Sequence, residues 1–114
     1  MEILLNNNEK INDILNVIMN SKDSNQIKKI YLFGSYAYGE PNINSDIDVF
    51  IIVDNYCDYN KFAINTMTSL MKNNIFYCDL FARSEKCFER GIIENYNGIE
   101  NIIKNDGRLL YARK

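Results

Sequence analysis

Histidine is absent from the 114 residues. Ser-His-Asp triads, Cys-His pairs, His-ligated metals and phosphohistidine transfer are therefore excluded in their usual forms, and a general base has to be a carboxylate or a less common group. Cysteine is sparse: Cys57, Cys78 and Cys87 form an odd set without CxxC spacing. With no histidine to complete a zinc site, reduced and packed thiols are the expectation. Proline occurs once, and no run approaches the roughly 20 apolar residues of a membrane span. The opening MEILLNNNEK lacks the basic and apolar regions of a secretory signal, so a cytoplasmic location is the default. Charge of one sign is lacking too. The net value is −2 and the basic residues are scattered apart from Lys28-Lys29, which argues against stable nucleic-acid binding but leaves transient RNA contact open.

What is present is an ordinary globular composition, 46% hydrophobic and 25% charged, enough for one core and one domain over residues 1–114. Ile11, Ile14, Leu15 and Ile18 recur at helical spacing and predict a helix over Asn8 to Met19. Lys28 to Phe33 reads as a short buried strand running into Gly34-Ser35, and Pro41, Asn42 and Asn44 as a turn. From Asp46 to Val53 a strand places Ile47, Val49, Ile51 and Val53 on one face and Phe50 and Ile52 on the other, apolar on both sides and so central. A second helical stripe, Tyr59 to Leu70, precedes a third strand over Ile75 to Phe81, with Asp79 inside it. Ser84 is a helix cap, the chain is helical to about Asn95 and again around Ile99 to Ile103, Asp106-Gly107 stops that helix, and Leu109 to Tyr111 is a last short strand or docking segment. The order predicts an α/β (α+β) fold, a small mixed β-sheet flanked by helices.

Asp46 and Asp48, one residue apart on a strand, project to the same face. Two carboxylates that close raise each other's pKa and resist joint ionisation, a conflict that a divalent cation removes. Mg²⁺ favours carboxylate, water and phosphate oxygens over a closed protein cage, and Asp79 is the natural third ligand if its strand lies beside the first. Taken singly, each acid is as compatible with a turn or a solvated strand end. Gly34, with no Cβ, admits phosphate oxygens close to the backbone. A helix starting there would add free N–H groups, and Ser35 adds a hydroxyl donor; a plain capped turn satisfies the same residues. Gly39 reads as a positive-φ position, and Tyr36 and Tyr38 as packing residues that could also stack on a base.

Gly34-Ser35, ten intervening residues and Asp46-Ile47-Asp48 resemble the GS-x10-DxD signature of the DNA polymerase beta-like nucleotidyltransferase superfamily. The likeness runs through FGSYAYGEPNINSDIDVFIIV, including Ala37, Gly39 and Ser45. Asp79 is similar to the third acid of that family, and the glycine-containing turn before Leu109-Leu110-Tyr111 resembles the ending of its minimal members. The resemblance covers nearly the whole chain. It implies a nucleotidyltransferase-like core and transfer of a nucleoside monophosphate from a nucleoside triphosphate, ATP on analogy, to a hydroxyl. Asp46, Asp48 and Asp79 would hold two Mg²⁺ ions, Asp79 would assist deprotonation, and Gly34 and Ser35 would grip the β- and γ-phosphates. Many relatives carry Arg where Tyr36 or Tyr38 stands here, so Lys61, Arg83 and Arg108 are alternatives for the phosphate-binding cation.

Minimal members of this family are often paired with a HEPN-domain toxin, which some of them neutralise by attaching AMP to a tyrosine. The resemblance implies that role, with the HEPN protein as partner, for a core with little acceptor pocket of its own. Two alternatives stay open: a small-molecule, aminoglycoside-type nucleotidyltransferase, and a binding-only antitoxin without chemistry.

Overall fold

The computed structural model describes residues 2–3, 8–39 and 45–114. In chain order it contains β1 (Glu2–Ile3), α1 (Glu9–Met19), a 3₁₀ turn (Ser24–Gln26), β2 (Ile27–Phe33), α2 (Ser35–Tyr38), β3 (Ile47–Val53), α3 (Tyr59–Lys72), β4 (Cys78–Ser84), α4 (Glu85–Glu94), α5 (Ile99–Asp106) and β5 (Arg108–Ala112). The strands form one sheet in the order β1-β5-β2-β3-β4. β3 and β4 are parallel, and every other neighbouring pair is antiparallel. The parallel pair follows from α3, which carries the chain back across the sheet before β4 begins, as a parallel connection requires. This is the mixed, helix-flanked sheet that the order of elements predicts.

β3 sorts its side chains as its alternation demands. Ile47, Val49, Ile51 and Val53 pack with Ile11, Ile14, Leu15 and Ile18 of α1 and with Phe62 and Leu70 of α3. Phe50 and Ile52 turn to the opposite face, under Phe88 of α4 and Ile99 and Ile103 of α5. Two apolar layers of helices thus sandwich the sheet, and each large side chain they bury contributes about 1.5–3 kcal/mol. α1 starts where Asn8 caps it, its side-chain oxygen accepting from the N–H groups of Lys10 (2.9 Å) and Ile11 (3.3 Å). Ser84 caps α4 in the same way through the Cys87 N–H at 3.2 Å. α5 ends at Asp106, with the Gly107 N–H closing onto the Ile103 carbonyl at 2.9 Å. No described helix is long and apolar enough to cross a membrane.

Several sequence expectations need correcting. The third strand runs over Cys78–Ser84, not Ile75 to Phe81. Asn74 takes a left-handed conformation (φ 61°), and the Ile75 N–H returns to the Leu70 carbonyl (2.9 Å), so Ile75 is buried by a turn that closes α3. Pairing with β3 begins only at Ile47 opposite Cys78, which puts Asp79 at the start of its strand and exposed, not inside it. β3 itself starts at Ile47, leaving Asp46 just outside, and β2 begins one residue early, at Ile27. Gly39 has φ −108°, so it is not a positive-φ position. A Cβ there would come within 2.8 Å of the Ser35 Cα, and glycine is needed for that close approach. The turn at Pro41, Asn42 and Asn44 and the side chain of Tyr38 lie outside the described residues, whereas Tyr36 packs against the core.

The far end of β3 is locked by Asp54, only 5% exposed. Arg113 grips it with both guanidinium nitrogens (Nη2 to Oδ1 2.7 Å, Nη1 to Oδ2 3.1 Å), and the Tyr56 hydroxyl donates to Oδ2 at 3.0 Å. Arg113 Nη1 also donates to the Asn25 carbonyl at 3.0 Å, tying the chain just after β5 to the 3₁₀ turn. The Arg113 hydrogen bonds hold the Asp54 carboxyl below its usual range although burial pushes the other way. A depressed carboxylate pKa stabilises the fold above the unfolded value of 3.8, and that contribution is lost as pH falls through the lower folded value. Arg113→Ala should therefore cost roughly 2–3 kcal/mol near neutral pH, less than a fully buried pair because the guanidinium is partly screened. The urea midpoints of variant and wild type should converge in strong acid. A gap constant with pH would show that the pair contributes packing alone.

Candidate functional site

Three strands bring the candidate residues to one end of the sheet. Asp48 of β3 pairs with Phe33 of β2 on one side and with Asp79 of β4 on the other. Register partners on adjacent strands lie on the same face about 5 Å apart, so Phe33, Asp48 and Asp79 form a row. Asp48 and Asp79 are register partners on the parallel pair, so their carboxyl groups stand side by side. Burial pushes the Asp48 carboxyl above its usual range, and the neighbouring Asp79 and then Asp46 push it further. Two carboxylates side by side resist joint ionisation, a conflict that a hard cation would remove. The side chains gathered here offer oxygen atoms only, negative in sum and open, the donor chemistry that Mg²⁺ favours. Among the described residues no group of three or more acids, cysteines or histidines is drawn together closely enough to hold a metal ion. The arrangement is a register pair, Asp48 and Asp79, with Asp46 exposed beside it.

The reach of this negative field is visible at Cys78, whose thiol is pushed up to about 12, first by burial and then by Asp79, Asp48 and Asp46. Such a thiol stays protonated and inert at neutral pH. All three cysteines are free, as expected.

Gly34 closes the site on the β2 side. Its backbone sits at φ 73°, ψ −155°, a region that is essentially glycine-only. A Cβ there would collide with Asp48 Oδ2 and lie 3.1 Å from its Cγ. The backbone thus passes directly against the Asp48 carboxylate, and Ser35 opens α2 immediately afterwards. A helix does begin here, but it is a single turn of four residues, so polar contacts at this point come from individual N–H groups and the Ser35 hydroxyl more than from a macrodipole.

Residues 9–114 match the sequence model of the family described as Polymerase beta, Nucleotidyltransferase. The chain belongs to that family. It is 35% identical over 107 residues, 94% of this chain and 100% of the other, to a Methanocaldococcus jannaschii protein named "Putative protein adenylyltransferase". In fold it is similar to a mutant of a toxin–antitoxin complex of the MntA–HepT type (TM-score 0.57, 20% identity, covering 90% of this chain and 73% of that one). It is similar also to a toxin–antitoxin structure solved with AMP-PNP (TM-score 0.55, 22% identity, 96% and 76%). The nucleotidyltransferase reading of the sequence is thereby established at the level of the family.

Within this nucleotidyltransferase the three candidate cations part company. Arg83 lies toward the far end of β4, ion-paired with Glu100 at 3.6 Å and over the Tyr59 ring at 5.9 Å. Lys61 sits in the first turn of α3, which follows the far end of β3. Arg108, exposed at the start of β5, pairs with Leu32, one residue before Phe33, and so stands at the acidic end. Lys10, which sequence reasoning missed, is held 5.1 Å over the ring of Tyr77, whose carbonyl accepts from the Ile47 N–H at 2.8 Å. No local pattern could have announced it, because its contact with Tyr77 joins two distant parts of the chain.

Proposed function

We propose that this nucleotidyltransferase transfers AMP from ATP to a hydroxyl of a partner protein, a tyrosine of a HEPN-domain toxin, and acts as an antitoxin by doing so. The observation that carries the reading is the pairing of Asp48 with Asp79, placed against Gly34. It provides a negative, open oxygen cluster fixed against a glycine backbone that leads directly into Ser35. The Methanocaldococcus relative named for protein adenylylation matches along its whole length, and the structural neighbours include toxin–antitoxin complexes and one with an ATP analogue. Both support the choice of nucleotide and of partner.

In this reading Asp46, Asp48 and Asp79 hold Mg²⁺, which when bound neutralises the carboxylates and the triphosphate and stabilises charge developing on the phosphoryl oxygens. Gly34 and Ser35 hold the β- and γ-phosphates through backbone N–H groups and the Ser35 hydroxyl. The acceptor oxygen bonds to the α-phosphorus, the bond from that phosphorus to the α,β-bridging oxygen breaks, and pyrophosphate leaves. Asp79, on the outer strand, takes the proton of the acceptor hydroxyl. The test is transfer of label from α-labelled ATP with Mg²⁺ into proteins of a lysate of the source cell, with Asp46→Asn/Asp48→Asn alongside. A labelled HEPN protein seen only with the wild type is expected. Unlabelled proteins with ATP bound normally would shift the acceptor to a small molecule, and toxin neutralisation that persists in the double variant would leave binding alone as the function.

A further inference from the structure

Beyond the acids, the same sheet face carries a second row, Tyr31, Phe50 and Phe81, set by the pairings of Tyr31 with Phe50 and Phe50 with Phe81. Phe50 is fully buried, its ring 5.6 Å from that of Phe88. Phe81 is not covered in this way. It is 38% exposed on the edge strand β4, and its ring meets that of Phe33 at 5.5 Å and 60°, reaching across β3. Phe33 is itself only half-buried and stands beside Asp48 in the first row. Two aromatic side chains thus lie next to the acids, one of them with an open edge. An exposed aromatic of this kind costs hydration without adding to the core.

Resting on the proposed transfer of AMP to a protein, we propose that Phe33 and Phe81 form the seat for the ring of an aromatic hydroxyl acceptor, so that the site selects a tyrosyl side chain over an aliphatic hydroxyl. Three features favour this occupant. Phe81 follows Asp79 by two residues on the same face, about 6.6 Å along the strand, comparable to the reach of a tyrosyl side chain from its Cβ to its hydroxyl. A ring seated on Phe81 therefore brings its oxygen towards Asp79. β4 is the sheet edge, so a partner approaches Phe81 without displacing another strand. Gly34 and Ser35 lie on the β2 side of Asp48, leaving the β4 side for the acceptor. A phenol is also neutral near pH 7, as a negative pocket requires, and ring-on-ring contact adds to simple burial.

The test uses N-acetyl-tyrosinamide and N-acetyl-serinamide as acceptors with Mg·ATP, the AMP adduct being quantified by mass spectrometry. Wild type should prefer tyrosinamide by at least about tenfold. Phe81→Ala and Phe81→Leu should each raise the KM for tyrosinamide about tenfold, and Phe81→Tyr, which keeps a ring, should stay near wild type. The Kd for Mg·AMP-PNP should be the same in all four proteins. Because Phe81 is partly exposed, these variants are expected to fold, and Phe81→Leu keeps the apolar bulk while removing only the ring. A weakened Kd for Mg·AMP-PNP in Phe81→Ala would overturn the seat by showing that the ring holds the base instead. Equal use of both amides, or of neither, by the wild type would overturn it as well. Labelling of a lysate protein on tyrosine that is undiminished in Phe81→Ala would leave the proposed function standing without the seat, and no labelling of any protein would remove both.

Discussion

Asp48→Asn is expected to lower nucleotidyl transfer by about 10³-fold or more while leaving the fold at least as stable as the wild type without metal. The two halves of this expectation share one cause. Asp48 is the half-buried member of the acid cluster, pressed between Gly34 and Asp79. On the proposed assignment it sits where negative charge is needed to draw the cation against the triphosphate. Removing it forfeits several kcal/mol of transition-state charge stabilisation, and each 1.36 kcal/mol is about tenfold in rate. The same negative charge is a burden to the protein alone, because it is half-buried and faces Asp79 and Asp46. Asparagine is close in shape, can donate to Asp79, and ends that repulsion. The checks are transfer rate with α-labelled ATP and Tm in chelator. A variant that keeps full activity would remove Asp48 from the chemistry, and one that loses several degrees in chelator would show that the carboxylate holds the fold together.

Such opposition between local stability and function explains which parts of the molecule were legible beforehand. β3 was readable face by face because alternation with a period of two is a local property: Ile47, Val49, Ile51 and Val53 went one way, Phe50 and Ile52 the other. The ends of α1, α4 and α5 were readable because Asn8, Ser84 and Gly107 act on backbone groups within a few residues of themselves. The start of β4 was not. Ile75 is apolar and buried like a strand residue, but the turn at Asn74 that buries it leaves no mark in hydrophobicity. β1 was missed because two residues carry no periodicity, and β5, at the other end of the chain, supplies their partner.

At the site, the residue types and their spacing pointed to Asp46, Asp48 and Asp79, but the pairing of Asp48 with Asp79 depends on a parallel register set by how far α3 carries the chain. Sequence alone left that conditional. Phe33 and Phe81 were overlooked because aromatic residues in strands read as core. The available signal was parity: Phe81 stands two residues after Asp79 and must share its face.

Gly34→Ala is the second substitution expected to have a large effect, and it acts through geometry alone. No charge changes, and a methyl group is added. At φ 73°, ψ −155° an alanine is strained by about 1–3 kcal/mol. Its Cβ would also meet the Asp48 carboxylate, Cγ lying 3.1 Å away. Either the carboxylate swings away from Asp79, or the end of β2 parts from β3 where Phe33 pairs with Asp48. Both outcomes move the acids relative to the Gly34-Ser35 backbone proposed to hold the phosphates, and transfer should fall about 100-fold, since misplacement by about 1 Å is enough for that. A double-mutant cycle separates the two costs. Asp48→Ala removes the colliding oxygen and keeps only a Cβ, which lies at an ordinary 3.4 Å from the new methyl. In that background Gly34→Ala should cost only its backbone strain, less than in the wild type, and the difference between the two urea-derived stabilities measures the collision. Equal costs in both backgrounds would mean that the Asp48 side chain moves aside freely, and the close approach of Gly34 would then not be what positions it.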